Sequence, residues 1–202
     1  MRRGWLLALA VGAAVFLSVG SAWAVSIDIV PASQDVLVGD TVDVEIAISG
    51  LGNLGVPSLG AFDIVLAFDP TVLTYQSAVF GDPLLGDELD VWDFGMNPMG
   101  VTSGAGTVNP WEVSLHFPID LETLQAGDFT LVTLSFAAAG PGTSTLTLWA
   151  NALGDAAGAP LAADLGGGSV SVQSAVPEPT ATLLFGIGSL VVALAVRRSS
   201  SV

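Results

Sequence analysis

The sequence predicts an all-β fold, an antiparallel β-sandwich, because three of its features are typical of one. Apolar and polar residues alternate with a period of two in short runs, as they do when each sheet has one buried face. Turn sequences such as Gly140-Pro141-Gly142 separate these runs. Helical periodicity is unconvincing in the body of the 202-residue chain, where only Leu121–Ala126 is expected to form a turn of helix.

The predicted strands follow one another along the body, from Ile27–Val30 to Ser169–Val172. Between these two lie Thr41–Ser49, Ala61–Phe68, Val72–Val79, Trp111–Phe117, Phe129–Ala138 and Thr143–Ala150. Two long connections, Gly81–Gly106 and Asn151–Gly168, interrupt the series. Connections of this length are usually functional or disordered, so we expect any site to lie there.

The alternation also assigns side chains to the core. In the strand Ala61–Phe68 it buries Phe62, Ile64, Leu66 and Phe68 and turns Asp63 outwards. In the strand Trp111–Phe117 it buries Trp111, Val113, Leu115 and Phe117 and turns Glu112, Ser114 and His116 outwards.

Residues 1–24 have the three parts of a secretory signal peptide. Arg2-Arg3 is followed by an apolar stretch and then by the small-x-small site Ala22-Trp23-Ala24. Cleavage after Ala24 would leave Val25 as the mature N-terminus. The alternative is a second membrane helix, which the cleavage site disfavours.

Residues 176–202 have the parts of a membrane-anchoring tail. Pro177, Glu178 and Pro179 precede an uncharged run, residues 180–196, that is just long enough to cross a bilayer as a helix. Arg197 and Arg198 follow, and the positive-inside bias keeps them on the cytoplasmic side, so the body lies on the other side. The prolines form an extended neck, because proline does not fit inside a helix.

This order of parts resembles the PEP-CTERM sorting signal. In that family an integral membrane enzyme, exosortase, is thought to remove the tail and pass the protein outwards, in Gram-negative bacteria that make exopolysaccharide. The resemblance implies export across the inner membrane, transient anchoring by the tail, and release to the cell surface or extracellular matrix. The alternative is a permanent single-pass anchor.

The charge of the body, residues 25–175, limits its partners. All four basic residues lie near the chain ends, and the sequence has neither lysine nor cysteine. The segment Val25–Val176 carries 18 of the 19 carboxylates, a formal charge of −18. Nucleic-acid binding is excluded, because it needs cationic side chains to neutralise phosphates. Without disulfides, the secreted body must be held together by its core.

A second resemblance covers most of Ile27–Val172. The segments Val38–Val44, Gly60–Leu73, Leu153–Pro160 and Gly168–Val172 are similar to strand-and-turn patterns of the cohesin family. That resemblance implies a jelly-roll sandwich of about nine strands, related in fold to some carbohydrate-binding modules. Cellulosomal cohesins bind dockerin domains, so it also implies a dockerin-like or other protein partner, although fold alone does not transfer function.

The first long connection holds the candidate metal and ligand residues. Its acids are concentrated at Asp87, Glu88, Asp90 and Asp93, and calcium takes six to eight oxygen ligands from such loops. The alternative is a solvated acidic loop. Trp92 and Phe94 lie among these acids; exposed aromatic rings stack on sugars or anchor interfaces, whereas buried ones would plug the loop into the sandwich.

Catalysis has little support in the sequence. His116 is the only histidine, and it shares a strand face with Ser114, but any exposed strand brings such residues together. A glycosidase needs two carboxylates that flank a sugar bond, and no motif marks such a pair. We therefore expect a non-enzymatic surface or matrix protein that binds envelope polysaccharide. The alternative is a protein-interaction module, and an enzyme is the least favoured.

Overall fold

The computed structural model describes residues 24–174, which form eleven strands and one short helix. The helix α1, Pro118–Leu124, lies between the seventh and eighth strands. In chain order the strands are β1 Val25–Val30, β2 Ser33–Leu37, β3 Thr41–Ser49, β4 Leu59–Ala67, β5 Leu73–Phe80, β6 Met99–Gly104, β7 Thr107–Val113, β8 Phe129–Ala138, β9 Gly142–Asp155, β10 Ala163–Leu165 and β11 Gly168–Gln173.

The strands form two sheets around one core. The five-stranded sheet has the order β10-β1-β3-β8-β5, and the six-stranded sheet has the order β2-β11-β9-β4-β7-β6. Pairing is antiparallel except between β1 and β10 and between β2 and β11, which are parallel. The chain changes sheets between β1 and β2, so the first strands contribute to both layers.

The core is one continuous apolar cluster between the sheets. Phe136 on β8 lies near its centre and is fully buried. Its ring meets that of Phe68 edge-on at 5.0 Å between centroids, and that of Tyr75 at 5.9 Å. The buried side chains of β3 and β4 pack from opposite sheets: Val42, Val44, Ile46 and Ile48, and Phe62, Ile64 and Leu66.

The all-β fold class predicted from the sequence is confirmed. Two predicted strands, Thr41–Ser49 and Phe129–Ala138, coincide with β3 and β8, and the predicted helical turn overlaps α1. The strand number and the strictly antiparallel pairing are not matched in detail. The additional strands β2, β6 and β10 are short edge strands with little alternation, so a pattern search does not find them.

The faces predicted for Trp111–Phe117 are wrong. The strand β7 ends at Val113, and Glu112 is buried on it with an exposed fraction of only 1%. Leu115 and Phe117 lie beyond the strand and are largely exposed. Trp111 is not a core residue either, since its register partner is Asp63, which faces outwards.

Local packing explains this reversal. Trp111 is paired with Gly100 on β6, and a Cβ at Gly100 would come within 3.1 Å of the indole, so the glycine leaves room for the ring on the outer face. Glu112 then points inwards, where it accepts a hydrogen bond from the amide of Asn97. His116, predicted to face outwards, has a buried side chain that pairs with Asp90.

The targeting segments lie outside the described residues. The predicted signal peptide belongs to this part except for Ala24, as do the sorting residues Pro177, Glu178, Pro179, Arg197 and Arg198 and the apolar run 180–196. Within residues 24–174, no helix combines the length and apolar character needed to cross a membrane.

The core makes one prediction about stability. Phe136→Ala removes a fully buried ring and its contacts with Phe68 and Tyr75, so we expect a loss of about 3–5 kcal/mol in the free energy of unfolding. Val79→Ala, on the exposed side of β5, is the control and should change it by less than about 0.5 kcal/mol. Urea denaturation measures both variants; equal effects would contradict the assigned core.

Candidate binding surfaces

The outer face of the six-stranded sheet carries two tryptophans. Trp111 lies opposite Asp63 in the pairing of β7 with β4, and Trp149 lies opposite Val65 in the pairing of β9 with β4. Asp63 and Val65 are two residues apart on one strand, so all four side chains project from the same face. Trp149 has 41% of its surface exposed. We call this the indole face.

A hydrogen-bonded network occupies the centre of the indole face. Asp63 accepts hydrogen bonds at one carboxylate oxygen, Oδ1, from the side-chain amides of Asn109 at 2.6 Å and Asn151 at 3.0 Å. Asn109 also donates to the carbonyl of Ile64 at 2.8 Å. Asn151 reaches Asp63 because the register of β9 against β4 shifts at this point. The carboxylate is thereby held in place on β4, between the two strands that carry the tryptophans.

A shallow groove of about 780 Å³ continues from this network towards the end of β9. Its residues are mostly small, and they include Gly60, Ala61, Ala150, Ala152, Gly154 and Gly158. Small side chains allow another chain to approach the backbone closely. The groove and the indole face together form one extended surface.

The outer face of the other sheet is different in character. Its outward positions on β3 and β8 include Asp43, Glu45, Thr130 and Ser135. Ser135 donates to Asp43 at 2.6 Å, and Thr130 donates to Glu45 at 3.2 Å, so hydroxyl groups hold these carboxylates. This face offers short polar side chains rather than aromatic anchors.

The four candidate metal ligands are directed at separate partners. Glu88 accepts from the backbone N–H of Ala126 at 2.6 Å, and Asp87 accepts from that of Leu89 at 3.0 Å. Asp90 binds His116 and the backbone N–H of Gly95, and Asp93 is exposed. Over residues 24–174, no three acidic or histidine side chains come together as a metal-ligand set. Calcium binding stays a prediction of the sequence.

A buried carboxyl group on β7, that of Glu112, contacts the loop after β5, and the sequence did not indicate it. The pKa of Glu112 is raised from 4.5 to about 8, and burial is the largest cause. The hydrogen bond from Asn97 at 2.9 Å opposes this rise, because it favours the ionised form. The neighbouring carboxylates of Asp87 and Asp90 contribute to the rise, and protonated Glu112 can donate to Asp87. A pKa of about 8 keeps Glu112 mostly protonated at neutral pH.

The second tie joins the loop to the segment after β7 and is a hydrogen bond between two buried side chains. His116 Nε2 lies 2.7 Å from Asp90 Oδ1, and both side chains are buried. Burial disfavours ionised Asp90, but hydrogen bonds from His116 and from the backbone N–H groups of Gly95 and Phe94 outweigh it and lower the pKa of Asp90.

The arrangement around His116 does not form a nucleophile and base. Ser114 donates its hydroxyl hydrogen to the carbonyl of Leu89 at 2.6 Å, and its oxygen accepts the backbone N–H of His116 at 3.2 Å. The imidazole Nε2 is engaged by Asp90. A triad would need the ring to accept the serine proton, so Ser114 and His116 have a structural role here.

The two candidate aromatic residues are exposed. Trp92 and Phe94 have 52% and 61% of their surfaces accessible, and neither plugs the loop into the core. They line a cleft of about 210 Å³ with Met96, Leu115 and Phe117. The Phe94 ring packs on that of His116 at 5.6 Å between centroids.

The fold is similar to that of solved cohesin domains. The cohesin of a type I cohesin–dockerin complex from Clostridium thermocellum aligns with a TM-score of 0.58 at 13% identity, covering 74% of this chain and 99% of that chain. A non-cellulosomal cohesin from the archaeon Archaeoglobus fulgidus aligns with a TM-score of 0.54 at 16% identity, covering 79% and 96%. The solution structure of a Clostridium acetobutylicum cohesin gives 0.55 at 19%, covering 74% and 91%. At identities this low, the structural alignments show the fold alone, which is a cohesin-like β-sandwich.

The tail has its own match. Residues 175–199 match the PEP-CTERM protein-sorting motif, which confirms the resemblance seen in the sequence and indicates an exported protein. No curated protein matches the sequence. The chain thus combines a cohesin-like body with a PEP-CTERM sorting motif.

The pKa of Glu112 predicts a pH dependence of stability. Folded Glu112 keeps a proton that the unfolded chain loses above about pH 4.5, so its contribution is fully present below that value and is lost as the pH rises to about 8. One such group lowers the free energy of unfolding by up to about 1.4 kcal/mol per pH unit. Urea denaturation at several pH values between these limits measures the slope.

The control for this prediction is Glu112→Gln. Glutamine can still accept from Asn97 and donate to Asp87, but it does not titrate, so the slope in this range should become smaller. Glu88, whose pKa is also raised by burial, remains in both proteins and cancels in the comparison. Parallel slopes for the two proteins would contradict a raised pKa at Glu112.

Proposed function

We propose that this chain is an exported, non-enzymatic interaction module that binds a protein partner through the indole face. The observation that carries the proposal is one sheet face on which Trp111 and Trp149 lie on the two strands that flank the fixed carboxylate of Asp63, beside a groove lined by small residues. Tryptophan is among the residues that most often dominate binding energy at protein interfaces.

The geometry of Asp63 favours a basic partner. Both amide donors bind Oδ1, so Oδ2 is available to a lysine or arginine of another protein. Because the network fixes the carboxylate before binding, little side-chain entropy is lost on association. The excess of carboxylates in the body also attracts a basic surface and raises its association rate.

The similar structures support a protein partner. Two of them are described as cohesins in complex with dockerins, from Clostridium thermocellum and Acetivibrio cellulolyticus. The Archaeoglobus fulgidus cohesin is described as non-cellulosomal, so the fold also occurs outside cellulosomes. We infer a partner that is dockerin-like in its role, a protein displayed on or released from the same envelope.

The sorting motif supports delivery to the outside of a Gram-negative cell. An exosortase-type enzyme would recognise the tail, remove it and release the body to the cell surface or matrix. The body would then meet its partner outside the inner membrane.

Envelope polysaccharide is the second candidate ligand. The exposed indole of Trp149 favours it, because sugar rings stack on such surfaces. Trp92 offers a second exposed indole in the loop after β5. The protein partner is preferred, since the fixed carboxylate of Asp63 on this face suits a basic side chain better than a neutral or acidic sugar.

Partner binding is tested by pull-down with the exported protein as bait, against the secreted proteins and the exopolysaccharide of its host. Wild type should retain a defined protein, and Trp149→Ala should lose it, because truncating an interface anchor weakens binding by about 2 kcal/mol or more. Val79→Ala, on the other sheet, is the matched control and should retain the partner. Retention of polysaccharide alone, lost with Trp149→Ala, would favour the second candidate and contradict the first.

Sorting is tested at Glu178. Glu178→Ala changes the PEP-CTERM motif and leaves the body untouched, so folding should be unaffected while processing stops. Intact mass spectrometry of the exported wild type should show a chain that begins at Val25 and ends near Pro177–Pro179. Surface protein that keeps residues 180–196 in both variants would indicate a permanent anchor instead.

A further inference from the structure

One end of the sandwich carries an apolar cleft that differs from the indole face. One wall is formed by Trp92, Phe94 and Met96 from the loop after β5, and the other by Leu115 and Phe117 from the segment after β7. We call it the end cleft. Phe117 has 76% of its surface exposed, and the other four side chains are also exposed. Contiguous exposed apolar residues on a soluble domain usually mark an interaction site.

Polar groups beneath the end cleft hold its two walls together. His116 in the second wall pairs with Asp90, which precedes Trp92 in the first. Asn97 closes the first wall: it donates to Glu112 at 2.9 Å and accepts the backbone N–H of Leu115 at 3.1 Å. The cleft is therefore built by specific contacts rather than by a loosely placed loop, and a ligand would find it preformed.

The strand register places the end cleft far from the C-terminal exit of the body. The segment after β7 is hydrogen-bonded to the start of β4, because the Ser114 N–H donates to the carbonyl of Gly60. The first residue of β4 lies opposite Asp155, which is the last residue of β9. Val172, near the end of β11, is paired with Gly142 at the other end of β9. A strand of 14 residues spans about 45 Å, so the described part of the chain ends at the opposite end of the sandwich.

The negative charge around the end cleft favours a basic occupant. Asp120 lines the cleft, and Asp93 is exposed between Trp92 and Phe94 in the first wall. The body holds no lysine or arginine to balance them. A second copy of this chain would bring the same negative charge, whereas an apolar segment flanked by lysines or arginines would satisfy both the walls and the rim.

From these observations we propose that the end cleft is a second binding site, which takes a basic amphipathic segment of another protein. Leucine or aromatic side chains of that segment lie between the two walls, and its lysines or arginines face Asp93 and Asp120. Apolar grooves commonly bind amphipathic helices in this way, with anchors spaced by three and four residues. The walls of the end cleft contain none of the residues that define the indole face, although His116 lines both the cleft and the groove beside that face.

The test uses the exported protein and a fluorescent peptide of about 18 residues, with leucines and lysines at helical spacing. Fluorescence anisotropy should show saturable binding, and Phe117→Ser should weaken it about tenfold or more. Phe117 is already exposed, so its replacement should leave the fold intact, which circular dichroism checks. Leu84→Ser, at a leucine with 93% of its surface exposed outside the cleft, is the matched control and should bind like wild type.

Two further peptides separate the cleft from general attraction to an acidic body. A peptide with serine in place of leucine should lose binding, and one with glutamate in place of lysine should also lose it. Equal binding of the serine and leucine peptides, or equal effects of Phe117→Ser and Leu84→Ser, would overturn the proposal.

The remaining outcomes name other occupants or another site. Self-association of wild type in sedimentation, lost with Phe117→Ser, would assign the cleft to a second copy and overturn the proposal. If the peptide binds only after the tail has been removed, the tail is the occupant of the cleft, and the proposal is overturned. Trp149→Ala should leave peptide binding unchanged. If Trp149→Ala loses peptide binding and Phe117→Ser keeps it, the peptide binds at the indole face. That result would overturn the end cleft as a binding site and leave the proposed function standing.

Discussion

The structure depends on one constraint: its 18 carboxylates share the body with no lysine or arginine. A buried carboxylate without a cation is costly unless hydrogen bonds hold it or it keeps its proton. Both solutions are present. Backbone N–H groups bind Asp82 and Glu88, amides bind Asp63, His116 binds Asp90, and Glu112 retains its proton. Within residues 24–174, the contact between Asp90 and His116 is the only one between a carboxylate and a basic side chain.

The hydrogen bonds that take the place of ion pairs also position side chains at the indole face and at the end cleft. The amides that hold Asp63 fix the centre of the indole face, and the contacts of Asp90, Asn97 and Glu112 fix the walls of the end cleft. Gln125 adds a third tie, because its buried amide bonds both the N–H and the carbonyl of Leu59 and the carbonyl of Glu88. The loop after β5 is therefore part of the rigid body, and its aromatic side chains remain at the surface.

The fold could be predicted from the sequence where alternation is strong. The strands β3 and β8 have regular alternation, and burying Phe62 and Leu66 needs no long-range information. Glu112 shows where this reasoning fails, because an acid between Trp111 and Val113 is normally placed outside. Its burial depends on Asn97, Asp87 and the gap above Gly100, which are distant in sequence. The sequence indicates Trp92 and Phe94 as candidate ligand residues, but no local pattern predicts that Leu115 and Phe117 lie beside them.

The most direct test of this account is the titration of the Glu112 side chain. Carbon-13 NMR of the carboxyl carbons, assigned by comparison with Glu112→Gln, follows each glutamate separately through the pH range. The account predicts a midpoint for Glu112 near about 8, well above that of an ordinary glutamate. A midpoint near 4.5 would show that Glu112 is ionised at neutral pH, and would contradict the claim that this acidic body keeps a buried carboxyl neutral for want of a cation.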